Sequence, residues 1–258
     1  MGYVMKRIDL NCDLGESFGA WRMGDDGALL ALVSSVSIAC GFHAGDPTIM
    51  QHTVTQAVAH GLALGAHVSL PDLQGFGRRE MRVTAAEVHA MTLYQIGALH
   101  AFAVAAGARL AHVKPHGALY NMAARDAALA DAIAHAVHQF DPRLRLFGLA
   151  NSALIDSAKA IGLPVASEAF ADRRYCKNGS LQPRGEAGAV IDDVDAATAQ
   201  AIAIAQHGHV TANDGSIVSL HADTLCLHGD GAHALMLASR VRDALLSAGL
   251  HISAPGAH

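Results

Sequence analysis

Chemically reactive side chains follow several apolar runs in this sequence, and one run shows the pattern clearly. Residues 36–42 are largely apolar and end at His43, which stands between two glycines. This pattern predicts a buried parallel strand that turns directly into a helix, with Asp46 as the N-cap and Pro47 in the first turn. A histidine at the carboxyl end of a strand occupies the position where α/β proteins place catalytic groups. An ordinary strand–helix loop explains this single stretch equally well.

Polar and apolar residues alternate in residues 8–13, and the same pattern recurs in other predicted strands. Because successive side chains of a strand point to opposite faces, Asp9, Asn11 and Asp13 share one face. The corresponding interior face of the other strands carries His43, Gly65, His67, Ser69, His112, Lys114, His116, Glu168, Cys226, His228 and Asp230. Unpaired buried charges are costly, so this concentration predicts a functional site at one mouth of the fold. A structural salt-bridge network is the alternative, and we interpret the deepest residues, Asp9 and His112, as structural.

These residue types fit metal binding and the polarisation of a carbonyl group. Asp13, His43 and His67 are candidate metal ligands, although no H-E-x-x-H or comparable local spacing supports a metal site. The sequence therefore predicts no particular bound metal. Lys114, close to His116, is suited to polarising a carbonyl oxygen or binding an anion.

Carboxylates and arginines extend the candidate site. Asp13, Glu16, Glu168 and Asp230 are candidate general acids or bases, or ligands of a magnesium–nucleotide complex. Arginines in two glycine-containing loops suit a carboxylate or phosphate group through paired hydrogen bonds, and Arg184 is the strongest candidate among them.

The composition limits the classes of partner. The chain has 258 residues, of which 52% are hydrophobic and 16% charged, and its net charge is −5. These values predict a compact globular protein that binds neither nucleic acid nor a membrane, since there is no basic run or apolar stretch of membrane-spanning length. The four cysteines show no C-x-x-C spacing, which indicates reduced thiols and a cytoplasmic location. No G-x-G-x-x-G or P-loop motif indicates a standard nucleotide site.

Strand-like and helical runs alternate over the whole chain. This alternation predicts an α/β fold, a distorted parallel (β/α) barrel of seven or eight strands. No change of composition marks a domain boundary, so we expect a single domain over residues 1–258. Its core is expected at about residues 8–250, and residues 251–258 are expected to be a frayed tail.

Capping residues predict where three of the helices begin. We expect one continuous helix over residues 122–139, a second helix capped by Asn151 and a third capped by Asp195. Thr84 followed by Glu87 is typical of a capping box at the start of a long helix.

Six stretches together resemble the lactam-utilisation (LamB/YcsF) family, whose members are the A subunits of bacterial 5-oxoprolinase. The resemblance runs from about residue 8 to the last helix, and the motifs occur in the family's order. They are Asp9-Leu-Asn-Cys-Asp-Leu-Gly-Glu16, Ala39-Cys-Gly-Phe-His-Ala-Gly-Asp46, Gly65-Ala-His67, Val113-Lys-Pro-His-Gly-Ala-Leu-Tyr-Asn121, Glu168-Ala-Phe-Ala-Asp-Arg173 and Leu227-His-Gly-Asp230. One departure is that Val68 and Leu70 stand where the family usually has Pro and Tyr.

The resemblance implies ATP-dependent opening of the lactam 5-oxo-L-proline to L-glutamate, with release of ADP and phosphate. It implies ATP as co-substrate, Mg²⁺ accompanying the nucleotide, and two partner subunits, B and C. It also implies a distorted barrel similar to those of glycoside hydrolases and deacetylases.

Residue types and resemblance together give a set of predicted site residues. The predicted catalytic residues are Asp13, His43, His67, Lys114, His116 and Glu168. The predicted substrate-binding residues are Asn11, Glu16, Arg173, Arg184, His228 and Asp230. Two other functions remain open at this point: a stand-alone metal-dependent hydrolase or deacetylase, and a non-catalytic subunit that presents the substrate to its partners.

Overall fold

Parallel strands form the centre of the molecule in a computed structural model that describes residues 6–24, 26–227 and 234–256. In chain order the strands are β1 (Arg7–Leu14), β2 (Ser35–Ala39), β3 (Ala63–Val68), β4 (Leu110–Pro115), β5 (Arg145–Leu149), β6 (Val165–Phe170), β7 (His209–Thr211), β8 (Ile217–Ser219), β9 (Thr224–Leu227) and β10 (His251–Ile252). Strands β1 to β6 pair in sequence order, β6 pairs with β9, and β9 pairs with β1. Seven parallel strands therefore close into a barrel, which confirms the predicted fold class.

Helices surround this barrel. They are α1 (Asp26–Leu29), α2 (Pro47–Ala59), α3 (Ala85–Ala105), α4 (Gly117–Ala123), α5 (Ala127–Phe140), α6 (Ala153–Ala160), α7 (Val194–Ile202), which continues into a π-helical turn at Ala203–His207, and α8 (Ala234–Ser247). The Asp46 carboxylate accepts hydrogen bonds from the backbone N–H groups of Thr48 and Ile49, so it caps α2 as predicted. Thr84 and Glu87 form the predicted capping box at the start of α3.

The apolar strand faces pack against the helices, and the polar faces point into the barrel. Leu10 and Cys12 of β1 and Val113 of β4 are fully buried in the hydrophobic core. Asn11 of β1 and Lys114 of β4, on the opposite faces, contact each other inside the barrel. The alternation in the sequence therefore correctly predicts which side chains line the interior.

The deep end of the barrel, which we call the floor, is polar and closely hydrogen bonded. The Asp9 carboxylate accepts hydrogen bonds from the hydroxyl groups of Ser34, Ser35 and Thr224 at 2.6–2.8 Å. His112 lies 3.1 Å from the hydroxyl of Ser37. Its ring also stacks on Phe147. These contacts support the interpretation of Asp9 and His112 as structural residues.

Three predicted helix boundaries differ from the structure because another residue caps the helix. The helix expected over residues 122–139 is divided into α4 and α5, since the Asp126 carboxylate accepts from the backbone N–H groups at the start of α5. Ser152, not Asn151, caps α6, and Asn151 instead has a left-handed backbone with φ of 62°. Asp193, not Asp195, caps α7.

Two short strand pairings were not anticipated. The tail was expected to fray, yet β10 pairs in parallel with the first residues of β1, where Arg7 lies opposite His251 and Ile8 opposite Ile252. Backbone hydrogen bonds to β1 thus hold this part of the tail. Strands β7 and β8 form an antiparallel hairpin in a region that the sequence left without elements.

Helix α3 is the one helix, within the part of the chain described, that is long and apolar enough to span a membrane by length and composition alone. The sequence analysis found no apolar stretch of membrane-spanning length, and by length and composition this helix contradicts that statement. In the structure Val88, Ile96 and Leu99 of this helix are fully buried in the core. Core helices pass the same test, so this feature is weak evidence for a membrane span.

Candidate active site

The carboxyl ends of β1, β3 and β4 open into a cavity of about 930 Å³. Its lining includes Asp13, Glu16, His67, Lys114 and His116, all of which the sequence analysis placed at this mouth. In parallel barrels the carboxyl ends of the strands meet at one face, which explains why residues far apart in sequence converge here.

A buried lysine lies at the centre of the cluster. The Lys114 Nζ atom is 2.8 Å from Asp13 Oδ1, 2.8 Å from Glu168 Oε1 and 3.0 Å from Asn11 Oδ1. Cys226 Sγ is a further neighbour at 3.3 Å. Because an ammonium group has three N–H donors, these contacts with three oxygens occupy all of them. The geometry therefore suits a lysine that orients two carboxylates.

Mutual attraction keeps this cluster charged in spite of burial. Burial raises the pKa of Asp13, but His67 and Lys114 overcome this effect and hold that pKa well below its usual range. Burial likewise lowers the pKa of Lys114, whereas Asp13, Cys226 and Glu168 hold it well above its usual range. Asp13 is therefore an ionised carboxylate at neutral pH, and 13% of its side chain is exposed.

Three imidazole rings adjoin the carboxylates. His67 Nε2 lies 3.2 Å from Asp13 Oδ2 and 2.9 Å from His116 Nδ1. The ring of His43 stacks on that of His116 with centroids 3.8 Å apart. His43 Nε2 lies 3.4 Å from Glu16 Oε1. Burial lowers the pKa of both His43 and His116 well below the usual range, so both rings are neutral.

A loop after β3 fixes one of these rings. Phe76 has a left-handed backbone with φ of 53°, and its carbonyl oxygen lies 2.9 Å from His116 Nε2. Gly77 follows, where an added Cβ would collide with Ser69, His116 and His43. The Asp72 carboxylate holds the loop by accepting from the backbone N–H of Gly75 and from the side chain of Arg79. The sequence analysis missed this support, since neither the φ of Phe76 nor the path of the loop has a local signal.

Arginines form the outer rim of the cavity. Arg173 and Arg184 both line it, together with Arg78 and Gln182. Arg173 is 6% exposed and donates to the Gln182 carbonyl oxygen, while its Nε has no hydrogen-bond partner among the described residues. Burial and the nearby Arg184 lower the pKa of Arg173, as expected for two cations held close together. This rim is chemically suited to an anionic group.

The structure brings ten of the twelve predicted site residues to this one region. Asp13, His43, His67, Lys114, His116, Glu168, Asn11 and Glu16 form the inner cluster, and Arg173 and Arg184 lie on the rim. His228 and Asp230 lie outside the described residues. Tyr120, which lines the cavity and lies in the electrostatic field of Glu168, was not predicted. Val68 and Leu70, the positions that depart from the family motif, are fully buried in the core.

Comparisons with known proteins agree with this arrangement. The A subunit of 5-oxoprolinase from Tolumonas auensis is 57% identical over 250 residues, which cover 97% of this chain and 100% of the relative. The crystal structure of a lactam utilization protein from Thermus thermophilus matches with a TM-score of 0.91 and 48% identity, covering 96% of this chain and 99% of that one.

A more distant likeness concerns the fold alone. The structure of T48 deacetylase with substrate is 13% identical and matches with a TM-score of 0.50 over 96% of this chain and 87% of that one. This likeness supports the expected similarity to deacetylase barrels. The family model for LamB/YcsF matches residues 8–257. On the family match and the high identity over nearly the whole length, the chain belongs to the LamB/YcsF family.

Proposed function

We propose that this chain opens the ring of 5-oxo-L-proline to give L-glutamate, as the A subunit of an ATP-dependent 5-oxoprolinase in the cytoplasm. The observation that carries the proposal is an ionised carboxylate, Asp13, held by a buried lysine at the base of a cavity with an arginine rim. The naming of a relative at 57% identity as the A subunit of 5-oxoprolinase supports the choice of substrate.

The chemistry explains why ATP is needed. A five-membered lactam is an unstrained amide, and its carbonyl carbon is a poor electrophile. Transfer of the γ-phosphoryl group of ATP to the lactam oxygen makes that carbon electrophilic and releases ADP. Water then adds to the carbon and the ring C–N bond breaks, which frees the amine and leaves an acyl phosphate. A second water hydrolyses this acyl phosphate to the new carboxylate and free phosphate.

Asp13 is a better candidate general base than Glu168. Its carboxylate lines the cavity, whereas the side chain of Glu168 is fully buried behind Lys114. We therefore assign to Asp13 the removal of a proton from the attacking water, and to Glu168 and Asn11 the positioning of Lys114. General-base assistance of this kind contributes about 10²- to 10⁴-fold to a rate.

The arginine rim is assigned to the anionic parts of the substrate. The carboxylate of 5-oxoproline and the transferred phosphoryl group are both anions that guanidinium groups recognise through paired hydrogen bonds. Arg173 offers an Nε donor that has no partner in the described part of the chain, and Arg184 lies on the same rim.

We assign ATP and its Mg²⁺ either to a non-standard site on this chain or to a site shared with a partner subunit. The basis for this assignment is the absence of a P-loop motif from the sequence. The test measures glutamate and phosphate release from 5-oxo-L-proline and ATP, for the chain alone and with both partners, with Mg²⁺ or with a chelator. We expect release only when ATP, Mg²⁺ and both partners are present.

A second candidate function is a metal-dependent hydrolase that works without ATP. The cluster of Glu16, His43, His67 and His116 favours it, because these groups are metal-ligand types within 4.8 Å of one another. Glutamate release by the chain alone without ATP would support this candidate and overturn the ATP-dependent one. A complex whose full activity survives Lys114→Ala and Asp13→Asn in a folded chain would instead indicate a subunit that only presents the substrate.

A further inference from the structure

The two central imidazoles, His67 and His116, face each other through one ring nitrogen each. His67 Nδ1 lies 3.0 Å from the backbone carbonyl oxygen of Lys114, and His116 Nε2 lies 2.9 Å from that of Phe76. A carbonyl oxygen only accepts hydrogen bonds, so each of these nitrogens carries the ring proton. The other nitrogens of these rings, His67 Nε2 and His116 Nδ1, lie 2.9 Å apart, and Asp13 Oδ2 lies 3.2 Å from the former. Two imidazole nitrogens at this distance need a proton or a metal cation between or beside them.

Two further ligand groups surround the same point. The His43 side chain is fully buried, and neither of its ring nitrogens has a hydrogen-bond partner within the described residues. Glu16 Oε1 lies 3.4 Å from His43 Nε2 and 3.7 Å from His116 Nδ1. One ligand atom from each of Glu16, His43, His67 and His116 falls within 4.8 Å of the others. A buried imidazole with no partner is costly unless something binds it.

We propose that Glu16, His43, His67 and His116 bind one divalent transition-metal ion of the zinc class. Tetrahedral coordination with bonds of about 2.0–2.1 Å places ligand atoms about 3.3 Å apart, and the observed spacings bracket this value. The backbone carbonyls that fix the second nitrogens of His67 and His116 are the partners that metal-binding histidines ordinarily have. This inference rests on the geometry of the four side chains and does not depend on the proposed substrate.

The ligand chemistry distinguishes this ion from the Mg²⁺ that accompanies ATP. Three imidazoles and one carboxylate suit zinc or a similar borderline ion, whereas Mg²⁺ and Ca²⁺ prefer oxygen ligands. The carboxylates of Glu16 and Asp13 also offset the charge of a divalent ion at this site. Glu16, His67 and His116 line the cavity, which gives an ion a path to the site. When bound, such an ion acts as a Lewis acid towards an amide oxygen.

The test is metal binding by the full chain, measured separately from turnover. The chain is stripped with a chelator and titrated with Zn²⁺ by calorimetry and with Co²⁺ by visible absorption. We expect one equivalent of metal and a Co²⁺ spectrum typical of four-coordination. His116→Gln and Glu16→Gln should each weaken the affinity at least 100-fold, whereas His100→Gln on α3, whose ring packs on Phe140, should bind as the unchanged chain does.

The alternative to a metal ion between the two imidazoles is a proton shared by His67 and His116. In that case nitrogen NMR of the metal-free chain shows a protonated pair that added Zn²⁺ does not displace, and no saturable binding is found. Either that result or equal affinity in His116→Gln would overturn the inference. Stoichiometric metal without glutamate release would support the metal site and count against the proposed substrate, so the two failures are distinguishable.

Discussion

Polar side chains line both the floor of the barrel and its mouth, the cavity at the carboxyl ends of the strands. The two regions differ in whether these side chains have hydrogen-bond partners. At the floor, hydroxyl groups surround Asp9, and His112 is held between Ser37 and Phe147. At the mouth, His43 and Arg173 are buried with ring or guanidinium nitrogens that have no hydrogen-bond partner among the described residues. Satisfied polar groups stabilise a fold, whereas costly unsatisfied ones are retained where a ligand binds.

The ionisation of the aspartates also differs between the floor and the mouth. Burial raises the pKa of Asp9 from 3.8 to about 6, although its neighbours Ser34, Thr224 and Ser35 oppose the shift with hydrogen bonds. Asp13 lies on the same strand and the same face, yet its pKa is held well below the usual range, because His67 and Lys114 overcome the effect of burial. One aspartate is therefore close to its neutral form under mild acid, and the other stays ionised.

The largest expected effect comes from making the same substitution at each of these two aspartates and comparing the activities. Asp13→Asn keeps the shape of the side chain but removes the proposed base, so we expect kcat to fall about 10³-fold. Asp9→Asn is the matched control, and it should keep kcat within about twofold in the complete complex, since Asp9 does not line the cavity. Glutamate release is the measurement. Equal losses in the two variants would erase the functional distinction between floor and mouth.

Folding stability should depend on pH through Asp9. Its folded-state pKa is raised, so the stabilising contribution of its proton is fully present below the unfolded value of 3.8 and is lost as the pH rises through about 6. At 1.36 kcal/mol for each unit of pKa, the loss in the free energy of unfolding is about 3 kcal/mol.

Urea unfolding between pH 4 and pH 7 measures this contribution when the unchanged chain is compared with Asp9→Asn. The variant cannot titrate at this position, so the difference between the two free energies of unfolding should change by about 3 kcal/mol across the range. If the free energies of unfolding of the two chains changed with pH in parallel, Asp9 would not be the titrating group. The proposed difference in charge between the floor and the mouth would then be contradicted.

Close packing at the floor gives a smaller effect on stability. A Cβ added at Gly65 would overlap the imidazole of His112, so Gly65→Ala should lower the free energy of unfolding by about 2 kcal/mol. Gly97→Ala in α3 is the control, because no atom lies near its added Cβ and alanine favours a helix by about 0.5–1 kcal/mol. Thermal unfolding measures both. A Gly65→Ala chain as stable as the Gly97→Ala chain would mean that the floor is less tightly packed than the structure indicates.

The sequence predicted the strand faces better than the loops, and the reason is the range of the interactions involved. The positions of Asp13, His67, Lys114 and Glu168 inside the barrel follow from side-chain alternation, which is a local property of each strand. Placing the Phe76 carbonyl on His116 requires a loop path set by tertiary contacts, so no local pattern predicts it. The contacts of Glu16 with His43 and His116 likewise depend on tertiary structure, so no local pattern predicts them.

The sequence analysis missed the pairing of the tail and the division of one helix for different reasons. The pairing of β10 with β1 joins the two ends of the described chain, and a contact so distant in sequence leaves no periodic pattern. The break between α4 and α5 does have a local signal, the capping Asp126, but the alanine-rich sequence around it favours a continuous helix.

The smallest expected effect tests whether the rim of the mouth binds an anion. Arg184→Gln removes one cation from the rim but leaves the inner carboxylates and Lys114 in place, so we expect KM for 5-oxo-L-proline to rise about tenfold, with a smaller change in kcat. Arg82→Gln is the control, because Arg82 is exposed and does not line the cavity. Added salt should raise KM for the unchanged chain more than for Arg184→Gln, since screening weakens an attraction that the variant has already lost. Equal KM values and equal salt responses in all three chains would remove Arg184 from the binding site. In that case the buried Arg173, with its unpartnered Nε, would be the anion-binding group of the mouth.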